Sequence, residues 1–369
     1  MKNIGFVTGA RSEYGVMKRV ISEFVSDKDF DVSIIATGMH YQHKFGDTIE
    51  EIRKDALASI IDVPCYTECE QEKVLDFTSL VCALNNALKE KKIDIIYIIG
   101  DRLEAYAAAL VAHFLRIPVA HFAGGQITEG AVDNIYRYNI SNLALFHFVT
   151  SRYAKERLSQ VPIIPNENIF LVGSSAVDSI SAYFNAPQEA SIIDAELRRG
   201  NFVLMTYHSE TKNINNINGI PEMMDVSIQC ILEKGLKILV TYPNNDDGSS
   251  AIIDVINKWR DNPNVIVRKN LGGQLYYVAV DNSLFVIGNS SSGIIEVPYF
   301  QKYTINVGER QLGRNVPKSV ISVGNDCALV KNSLEKILLN PICSLEQEYI
   351  YGKGNSAAKI HKILRDKLI

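Results

Sequence analysis

The sequence lacks several features that would each indicate a particular class of protein. It has no apolar run of about 18 residues, the length that a membrane-spanning helix requires, so we expect no membrane partner. Its Lys and Arg total 38 against 42 Asp and Glu, a net charge of -4, which argues against a broad nucleic-acid surface. Its six cysteines form no CxxC pair, which favours reduced thiols over a disulfide framework.

Targeting and metal signals are also weak. The amino-terminal apolar run is broken by Arg11 and Glu13 and is too short for a signal peptide, so we expect a cytoplasmic protein. Cys65 and Cys69 follow His40 and His43, but this spacing lacks the tight pairing of a zinc site, and reduced cysteines are the favoured interpretation.

Short apolar runs alternate with longer, helix-like segments in the first half of the chain. Unbroken runs of this length are typical of strands buried on both faces, and the alternation predicts a parallel sheet with helices on both sides. The predicted strands are Ile4–Thr8, Val32–Thr37, Ile93–Ile99, Val119–Phe122, Leu145–Thr150 and Ile169–Val172, with helix-like segments Glu72–Glu90, Glu104–Leu115 and Ala154–Leu158.

The same pattern restarts after a polar segment, Asn185–Gly200. A chain of 369 residues is longer than one core usually supports, about 250–300 residues. We therefore predict two doubly wound, Rossmann-like α/β domains, residues 1–184 and 185–354, with an amphipathic helix at 355–369 packing back on the first. The second set of predicted strands is Phe202–Tyr207, Lys237–Tyr242, Val265–Arg268, Leu284–Ile287, Thr304–Val307 and Val320–Val323.

Polar residues follow the predicted strands of the first domain, where open parallel sheets bind ligands. Arg11 has a planar fork suited to phosphate, although it could be a surface residue. His40 could be an acid or base, although a structural role is more common for a lone histidine. Asp101, Arg102 and Glu104 crowd a helix start, as a cap or as a carboxylate placed for proton transfer.

A glycine-rich segment, HFAGGQITEGAVD at 121–133, follows the next strand. Its two adjacent glycines allow backbone to approach a ligand closely. Glu129 and Asp133 would share one face if the segment is helical, and a solvated acidic loop is the alternative.

The strongest local signal in the second half is GNSSSG at 288–293, followed by Glu296. Small hydroxyl residues leading into a helix can bind a diphosphate, although a serine-rich helix cap is the alternative. TYHSET at 206–211, YPNND at 242–246 and Arg310 also follow strands. Two such sets of loops facing across a cleft would suit a nucleoside diphosphate joined to a polar group.

These motifs, in order and at matching spacing over nearly the whole chain, resemble the hydrolysing UDP-N-acetylglucosamine 2-epimerases of sialic- and legionaminic-acid pathways. The resemblance is carried by GARSEYG, TGMH, GDRLEA, HFAGGQITEGAVDN, TYHSET, YPNNDDG, GNSSSGIIEVP and GERQLGR. It implies a glycosyltransferase-B-like fold and a homodimer or homotetramer. It also implies a reaction that removes the C2 proton, eliminates UDP and adds water, releasing UDP and a free 2-epimeric sugar without metal or other cofactor.

The resemblance also implies roles for individual residues. Asp101, Asp133 and His40 would lie at the reacting sugar, with Glu129 as a further candidate. Glu296 would hold the ribose. The remaining UDP-binding candidates are Arg11, Arg102, His208, Asn244, Ser290, Ser291, Ser292, Gly293 and Arg310.

The chain departs from the family pattern at a site that matters for catalysis. Members usually carry Glu at the third position, the sixth, or both, of the segment that begins here at His121, but this chain has Ala123 and Gln126. Loss of a general base commonly lowers rate by about 100- to 10,000-fold. Either Glu129 or Glu104 replaces it, or Asp101 and Asp133 suffice, or the protein is slow or has another substrate. Tyr138 also stands where relatives often have His.

The residues and the resemblance together leave four candidate functions. The first is hydrolysing epimerisation of UDP-N-acetylglucosamine or UDP-diacetylbacillosamine. The second is glycosyl transfer, which would need an acceptor groove that the sequence does not indicate. The third is non-catalytic UDP-sugar binding, suggested by Ala123 and Gln126. The fourth is epimerisation that leaves the sugar attached to UDP.

Overall fold

The computed structural model describes residues 1–42, 48–65, 73–129, 133–185, 197–210, 219–243, 248–340 and 345–369. The chain divides into two compact units. The first unit comprises Met1–Gln126, Asp133–Ser179 and Tyr351–Ile369, and the second comprises Ile127–Val132 and Ile180–Ile350. Ile127–Val132 thus groups with the second unit although it lies, in sequence, between elements of the first.

The first unit contains a parallel sheet in the order β3-β2-β1-β4-β5-β6-β7. Its strands are β1 (Lys2–Thr8), β2 (Phe30–Ala36), β3 (Ser59–Asp62), β4 (Ile95–Ile99), β5 (Val119–Phe122), β6 (Phe146–Val149) and β7 (Ile169–Leu171). Its helices are α1 (Arg11–Val25), α2 (Ile49–Asp55), α3 (Lys73–Leu88), α4 (Leu103–Phe114), α5 (Asp133–Leu143), α6 (Arg152–Ser159), α7 (Ser175–Asn185), of which Ser175–Ser179 belongs to this unit, and the carboxy-terminal α13 (Ser356–Leu368).

The second unit contains a parallel sheet in the order β10-β9-β8-β11-β12-β13. Its strands are β8 (Phe202–Thr206), β9 (Lys237–Thr241), β10 (Val265–Arg268), β11 (Val286–Gly288), β12 (Thr304–Val307) and β13 (Val320–Gly324). Its helices are α8 (Gly219–Glu233), α9 (Ser249–Trp259), α10 (Gly272–Asn282), α11 (Ser292–Ile295) and α12 (Cys327–Leu339).

Each central sheet is covered by apolar side chains on both faces. In β4, all five residues are buried, and alternate side chains enter two different clusters: Ile95, Tyr97 and Ile99 in one, Ile96 and Ile98 in the other. Burial on both faces explains why these strands appear in the sequence as unbroken apolar runs. The predicted α/β class with two parallel-sheet units is confirmed, and each predicted apolar run forms a strand.

Helix α13 packs on α1 within the first unit. Its apolar stripe buries Ile360 and Leu364 completely. Backbone N–H groups of Ser356 and Ala357 donate to the Asp178 carboxylate at 3.0 and 2.8 Å, which satisfies two otherwise unpaired groups at the helix start. Among the helices of the described residues, none combines the length and the apolar character needed to cross a lipid bilayer.

Candidate functional site

The turn after β1 is occupied by a carboxylate from the chain itself. Backbone N–H groups of Gly9 and Ala10 donate to Oε2 of Glu13 at 2.7 and 3.1 Å. Burial raises the pKa of Glu13 to about 7, while nearby Arg102 opposes the rise. Arg11 is instead 43% exposed and its Nε lies 2.8 Å from Oε2 of Glu51. The two amides at this turn therefore already donate to the Glu13 carboxyl group, which leaves Arg11 as the phosphate candidate there.

Glu104 is buried beneath two neighbouring strand ends. A Cβ atom at Gly9 would lie 2.8 Å from Cβ of Glu104, and one at Gly38 would lie 2.7 Å from its Oε1. Gly38 also has φ +58, so both space and backbone conformation require glycine there. Arg102 Nε lies 3.3 Å from Oε2 of Glu104. The structure thus brings Arg102 and Glu104 together, with the Glu104 side chain packed against the turns after β1 and β2.

His40 is buried in the short 3₁₀ turn at Gly38–Tyr41 and both ring nitrogens have partners. Nε2 lies 2.9 Å from the Thr8 hydroxyl, and Nδ1 lies 2.8 Å from the Thr48 hydroxyl. Burial lowers the pKa of His40 to about 4, so the ring is neutral near pH 7. His40 therefore joins the last residue of β1 to the residue that precedes α2. Its role at the sugar stays a prediction.

Asp101 is held by Arg137 of α5. Arg137 is 2% exposed, and its Nη2 forms an ion pair with Oδ2 of Asp101. Its Nη1 donates to the Gln126 carbonyl at 2.9 Å and to Oδ1 of Asn134 at 2.7 Å. Asp133 begins the same helix. One buried guanidinium therefore links the turn after β4, the glycine-rich segment and the start of α5.

His121 supports the turn that carries Asp101. Its Nε2 lies 2.8 Å from the Gly100 carbonyl and its Nδ1 lies 3.0 Å from the Ser141 hydroxyl. A carbonyl can only accept, so Nε2 carries the proton and Nδ1 accepts from Ser141. Burial lowers the pKa of His121 to about 3, which keeps this neutral form. The backbone before Asp101 is thus fixed by a side chain that sequence reasoning did not select.

The two positions where the family usually carries Glu have defined surroundings. Ala123 adopts φ +67, a left-handed conformation that is rare for residues other than glycine. The Gln126 side chain is buried and its Nε2 donates to the Thr150 hydroxyl. Neither position supplies a carboxylate.

Glu129 belongs to the segment Ile127–Val132, which groups with the second unit. Its backbone N–H donates to the Leu312 carbonyl at 2.9 Å. A Cβ atom at Gly313 would lie 3.3 Å from Oε1 of Glu129. Glu129 is therefore placed against the loop after β12, three residues beyond Arg310.

In the second unit, Asn289 joins the loops after β8 and β11. Its Oδ1 accepts from the His208 backbone N–H at 2.6 Å, and its Nδ2 donates to the His208 carbonyl at 2.8 Å. Burial lowers the pKa of His208 well below its ordinary value, and nearby Arg310 lowers it further. His208 is thus a neutral imidazole that can offer hydrogen bonds rather than charge.

The serine-rich turn at the start of α11 is internally bonded. The Ser290 hydroxyl lies 3.0 Å from that of Ser292, which lies 2.6 Å from the Tyr276 hydroxyl. Gly293 packs on β12, where a Cβ atom would lie 2.8 Å from Cγ2 of Thr304. Tyr276 thus orients a turn that the sequence predicted to bind diphosphate, although the tyrosine itself was not selected.

Glu296 follows α11 and faces the aromatic residues of α10. Burial raises its pKa to about 7, and a hydrogen bond from Tyr277 opposes the rise. A carboxyl group with this environment can accept or donate hydrogen bonds to sugar hydroxyls.

The loop after β12 approaches the same two motifs. Gln311 Nε2 donates to the Asn289 carbonyl at 2.9 Å, and Arg310 Nη1 lies 3.4 Å from the same oxygen. The structure therefore brings together the motifs of His208, Ser290 and Arg310, with Asn289 at their centre. Ser291 is the cap residue of α11. Asn244 lies outside the described residues, as do His43 and Cys69.

Metal-binding side chains are not grouped in the part of the chain that the structure describes. Over those ranges, no three His, Cys, Asp or Glu residues are placed to hold one ion.

Comparison with known proteins identifies the family. A family model described as UDP-N-acetylglucosamine 2-epimerase matches residues 22–365. The chain belongs to this family. Among epimerase relatives, UDP-N,N'-diacetylbacillosamine 2-epimerase (hydrolyzing) of Legionella pneumophila is 31% identical, over 99% of this chain and 96% of the relative. GDP/UDP-N,N'-diacetylbacillosamine 2-epimerase (hydrolyzing) of Campylobacter jejuni is 29% identical, over 87% and 84%.

Solved epimerase structures share the fold. UDP-GlcNAc 2-epimerase from Neisseria meningitidis, bound to UDP-GlcNAc, has a TM-score of 0.82 at 18% identity, covering 99% of this chain and 100% of that one. MurG of Acinetobacter baumannii has a TM-score of 0.53 at 10% identity, covering 99% and 100%. The predicted glycosyltransferase-B-like fold is confirmed, and the protein is an enzyme of the UDP-N-acetylglucosamine 2-epimerase family.

Proposed function

We propose that this epimerase is hydrolysing: it converts a UDP-N-acetylhexosamine and water into UDP and the free 2-epimeric sugar. The observation that carries the proposal is the end-to-end match to the L. pneumophila relative, which is named as a hydrolysing enzyme. The names of the L. pneumophila and C. jejuni relatives favour UDP-N,N'-diacetylbacillosamine as the substrate. UDP-N-acetylglucosamine is the alternative substrate.

The reaction needs proton transfer at C2 and stabilisation of the departing diphosphate. Removal of the C2 proton and loss of UDP from C1 give a glycal, and water then supplies the C1 hydroxyl and the new C2 proton. Asp101 and Asp133 are the proposed acid–base pair, because Arg137 fixes the Asp101 carboxylate beside the helix that Asp133 begins. Glu104 is a weaker candidate because its side chain is 10% exposed, against 25% for Asp101.

The second unit supplies the proposed UDP-binding groups. Hydroxyl groups of Ser290 and Ser292 and the guanidinium of Arg310 are hydrogen-bond donors of the kind that stabilise a leaving diphosphate. Neutral His208 can add a hydrogen bond, and Glu296 is the proposed ribose ligand. Asn289 places these groups because it joins three of the loops that carry them.

We further propose that the enzyme works in the cytoplasm as a homodimer or homotetramer. Large apolar side chains are exposed on helices of the first unit, including Val74 on α3, Phe114 on α4 and Ile135 on α5. Exposed apolar side chains of this size are typical of protein interfaces when they form one patch. Sedimentation analysis of the purified chain tests the assembly, and a monomer at micromolar concentration would contradict it.

Incubation with each UDP-sugar in deuterated water, followed by NMR, tests the reaction. Free 2-epimer carrying deuterium at C2, together with UDP, is the expected product. A UDP-linked epimer would show the reaction without hydrolysis. Saturable UDP binding without turnover would favour the non-catalytic alternative, which the absence of Glu at Ala123 and Gln126 suggests. Sugar transfer to an added acceptor would favour a glycosyltransferase.

A further inference from the structure

Glu210 connects two loops that are far apart in the sequence. It lies just beyond β8, while its contacts lie just beyond β12. Its Oε1 accepts hydrogen bonds from the backbone N–H of Glu309 at 2.5 Å and of Arg310 at 3.0 Å. One carboxylate oxygen thus binds two successive amides of the loop that carries Arg310.

The loop is built closely around this carboxylate. A Cβ atom at Gly308 would lie only 2.4 Å from Oε1 of Glu210, and Gly308 adopts φ +86. Glycine is therefore required at that position both for space and for backbone conformation. Burial raises the pKa of Glu210, while the two amide hydrogen bonds favour the charged form and oppose that rise. The carboxylate is thus an internal part of the loop and does not project from it.

The loop that Glu210 holds also determines where the Arg310 side chain lies. Arg310 Nη1 is 3.4 Å from the Asn289 carbonyl, and the adjacent Gln311 donates to the same oxygen. The long arginine side chain has many rotamers, so its direction depends on a fixed backbone. Without Glu210, the two amides would lose their acceptor and the start of the loop would be free to move.

We infer that Glu210 is a positioning residue for Arg310, which fixes the guanidinium for a nucleoside diphosphate without touching the ligand itself. The inference rests on the proposed function, because it assigns Arg310 to the UDP site. Within the segment TYHSET at 206–211, the sequence indicates only His208 as a site residue, and the structure adds Glu210. It also separates two roles within one short segment: His208 is a proposed ligand contact, and Glu210 binds the backbone of the Arg310 loop.

The first experiment compares Glu210→Ala, Glu210→Gln and the control Glu309→Ala by UDP calorimetry and steady-state kinetics. Loss of hydrogen bonds to a charged acceptor is expected to raise the UDP Kd of Glu210→Ala at least about tenfold. KM for the UDP-sugar should rise more than kcat falls, since Arg310 binds the diphosphate before and during reaction. Glu210→Gln keeps an acceptor oxygen and should restore most of the affinity. Glu309→Ala removes an exposed carboxylate but no backbone amide, so its Kd should stay near that of the unmodified protein.

A double-mutant cycle tests whether Glu210 acts through Arg310. If it does, adding Glu210→Ala to Arg310→Ala should weaken UDP binding little beyond Arg310→Ala alone, because the effects of coupled residues do not add. Fully additive losses would overturn the inference. Hydrogen exchange of the 308–314 peptide gives a readout without ligand and should be faster in Glu210→Ala than in Glu309→Ala.

The possible failures are distinguishable. If the unmodified protein bound neither UDP nor a UDP-sugar, the proposed function would fall, and this inference with it. If it bound UDP and Glu210→Ala bound UDP equally well, only the inference would be overturned. Unchanged hydrogen exchange in Glu210→Ala would likewise overturn it, even with turnover intact.

Discussion

Arg137 and Asp101 form an ion pair in which the arginine is almost fully buried and the aspartate is a quarter exposed. The guanidinium also contacts the Gln126 carbonyl and the Asn134 side chain, so its position is set from three sides. The Asp101 carboxylate is therefore held in place by a buried partner while a quarter of the side chain stays accessible. This arrangement is what a proton-transferring carboxylate needs, since precise placement contributes a large part of catalysis.

Asp101→Asn should lower turnover severely and leave UDP affinity within about twofold, because it removes a proton acceptor while keeping the shape of the side chain. A loss of about 100- to 10,000-fold in kcat is expected for a general base. NMR turnover assays and UDP calorimetry on the same preparation measure both quantities. Asp366→Asn, an exposed change on α13, is the control and should match the unmodified protein. Unchanged turnover in Asp101→Asn would remove this carboxylate from the mechanism.

Arg137→Lys should lower kcat about 10- to 100-fold while the protein stays folded. Lysine keeps the charge, but it lacks the planar fork that reaches Asp101, the Gln126 carbonyl and Asn134 together. The loss should not add to that of Asp101→Asn, because residues in one ion pair are coupled. Arg152→Lys, at the exposed start of α6, is the matched control. A fully additive double variant would show that Arg137 acts independently of Asp101.

Most of the fold follows from the apolar runs, because strands buried on both faces leave a strong signal in sequence. The strand that sequence reasoning missed, β3, shows the limit of that signal. Ser59–Asp62 is a four-residue edge strand whose end residues are exposed, and it lacks the long apolar run of the central strands.

The motifs were visible in the sequence, but the side chains that join them were not. Asn289 lies inside the recognised serine-rich motif, yet its pairing with His208 spans 81 residues. Glu210 and Arg137 likewise act through contacts 100 and 36 residues away. No local pattern encodes such pairs, because they exist only after the parallel strands bring their ends to one edge. His40 shows the converse: its motif was clear, but its ring is enclosed by two threonine hydroxyls.

Glu13 should make stability depend on pH. Its pKa is raised from 4.5 to about 7 in the folded protein, chiefly by burial. A raised folded-state pKa means that its contribution is fully present below about pH 4.5 and is lost as pH rises through about 7. Glu13→Gln should therefore lose less stability than the unmodified protein between pH 5 and 8, by up to about 3 kcal/mol. The free energy of unfolding at pH 5 and at pH 8, from chemical denaturation, measures this difference. Exposed Glu23→Gln on the same helix is the control. Equal pH dependence in Glu13→Gln and Glu23→Gln would contradict the assignment.

Gln126→Glu tests whether the carboxylate that the family usually carries can simply be restored. In this chain the Gln126 amide donates to the Thr150 hydroxyl and the side chain is buried. A glutamate there could not donate this hydrogen bond, so the Thr150 hydroxyl would have to reverse its role and donate to a buried carboxylate. We expect no increase in kcat and a loss of about 1–3 kcal/mol in stability, the usual cost of a poorly paired buried polar group. Kinetics and chemical denaturation measure the two effects, with exposed Gln160→Glu as the matched change. A large gain in kcat would show instead that position 126 faces the reacting sugar and that the present chain works with an incomplete set of carboxylates.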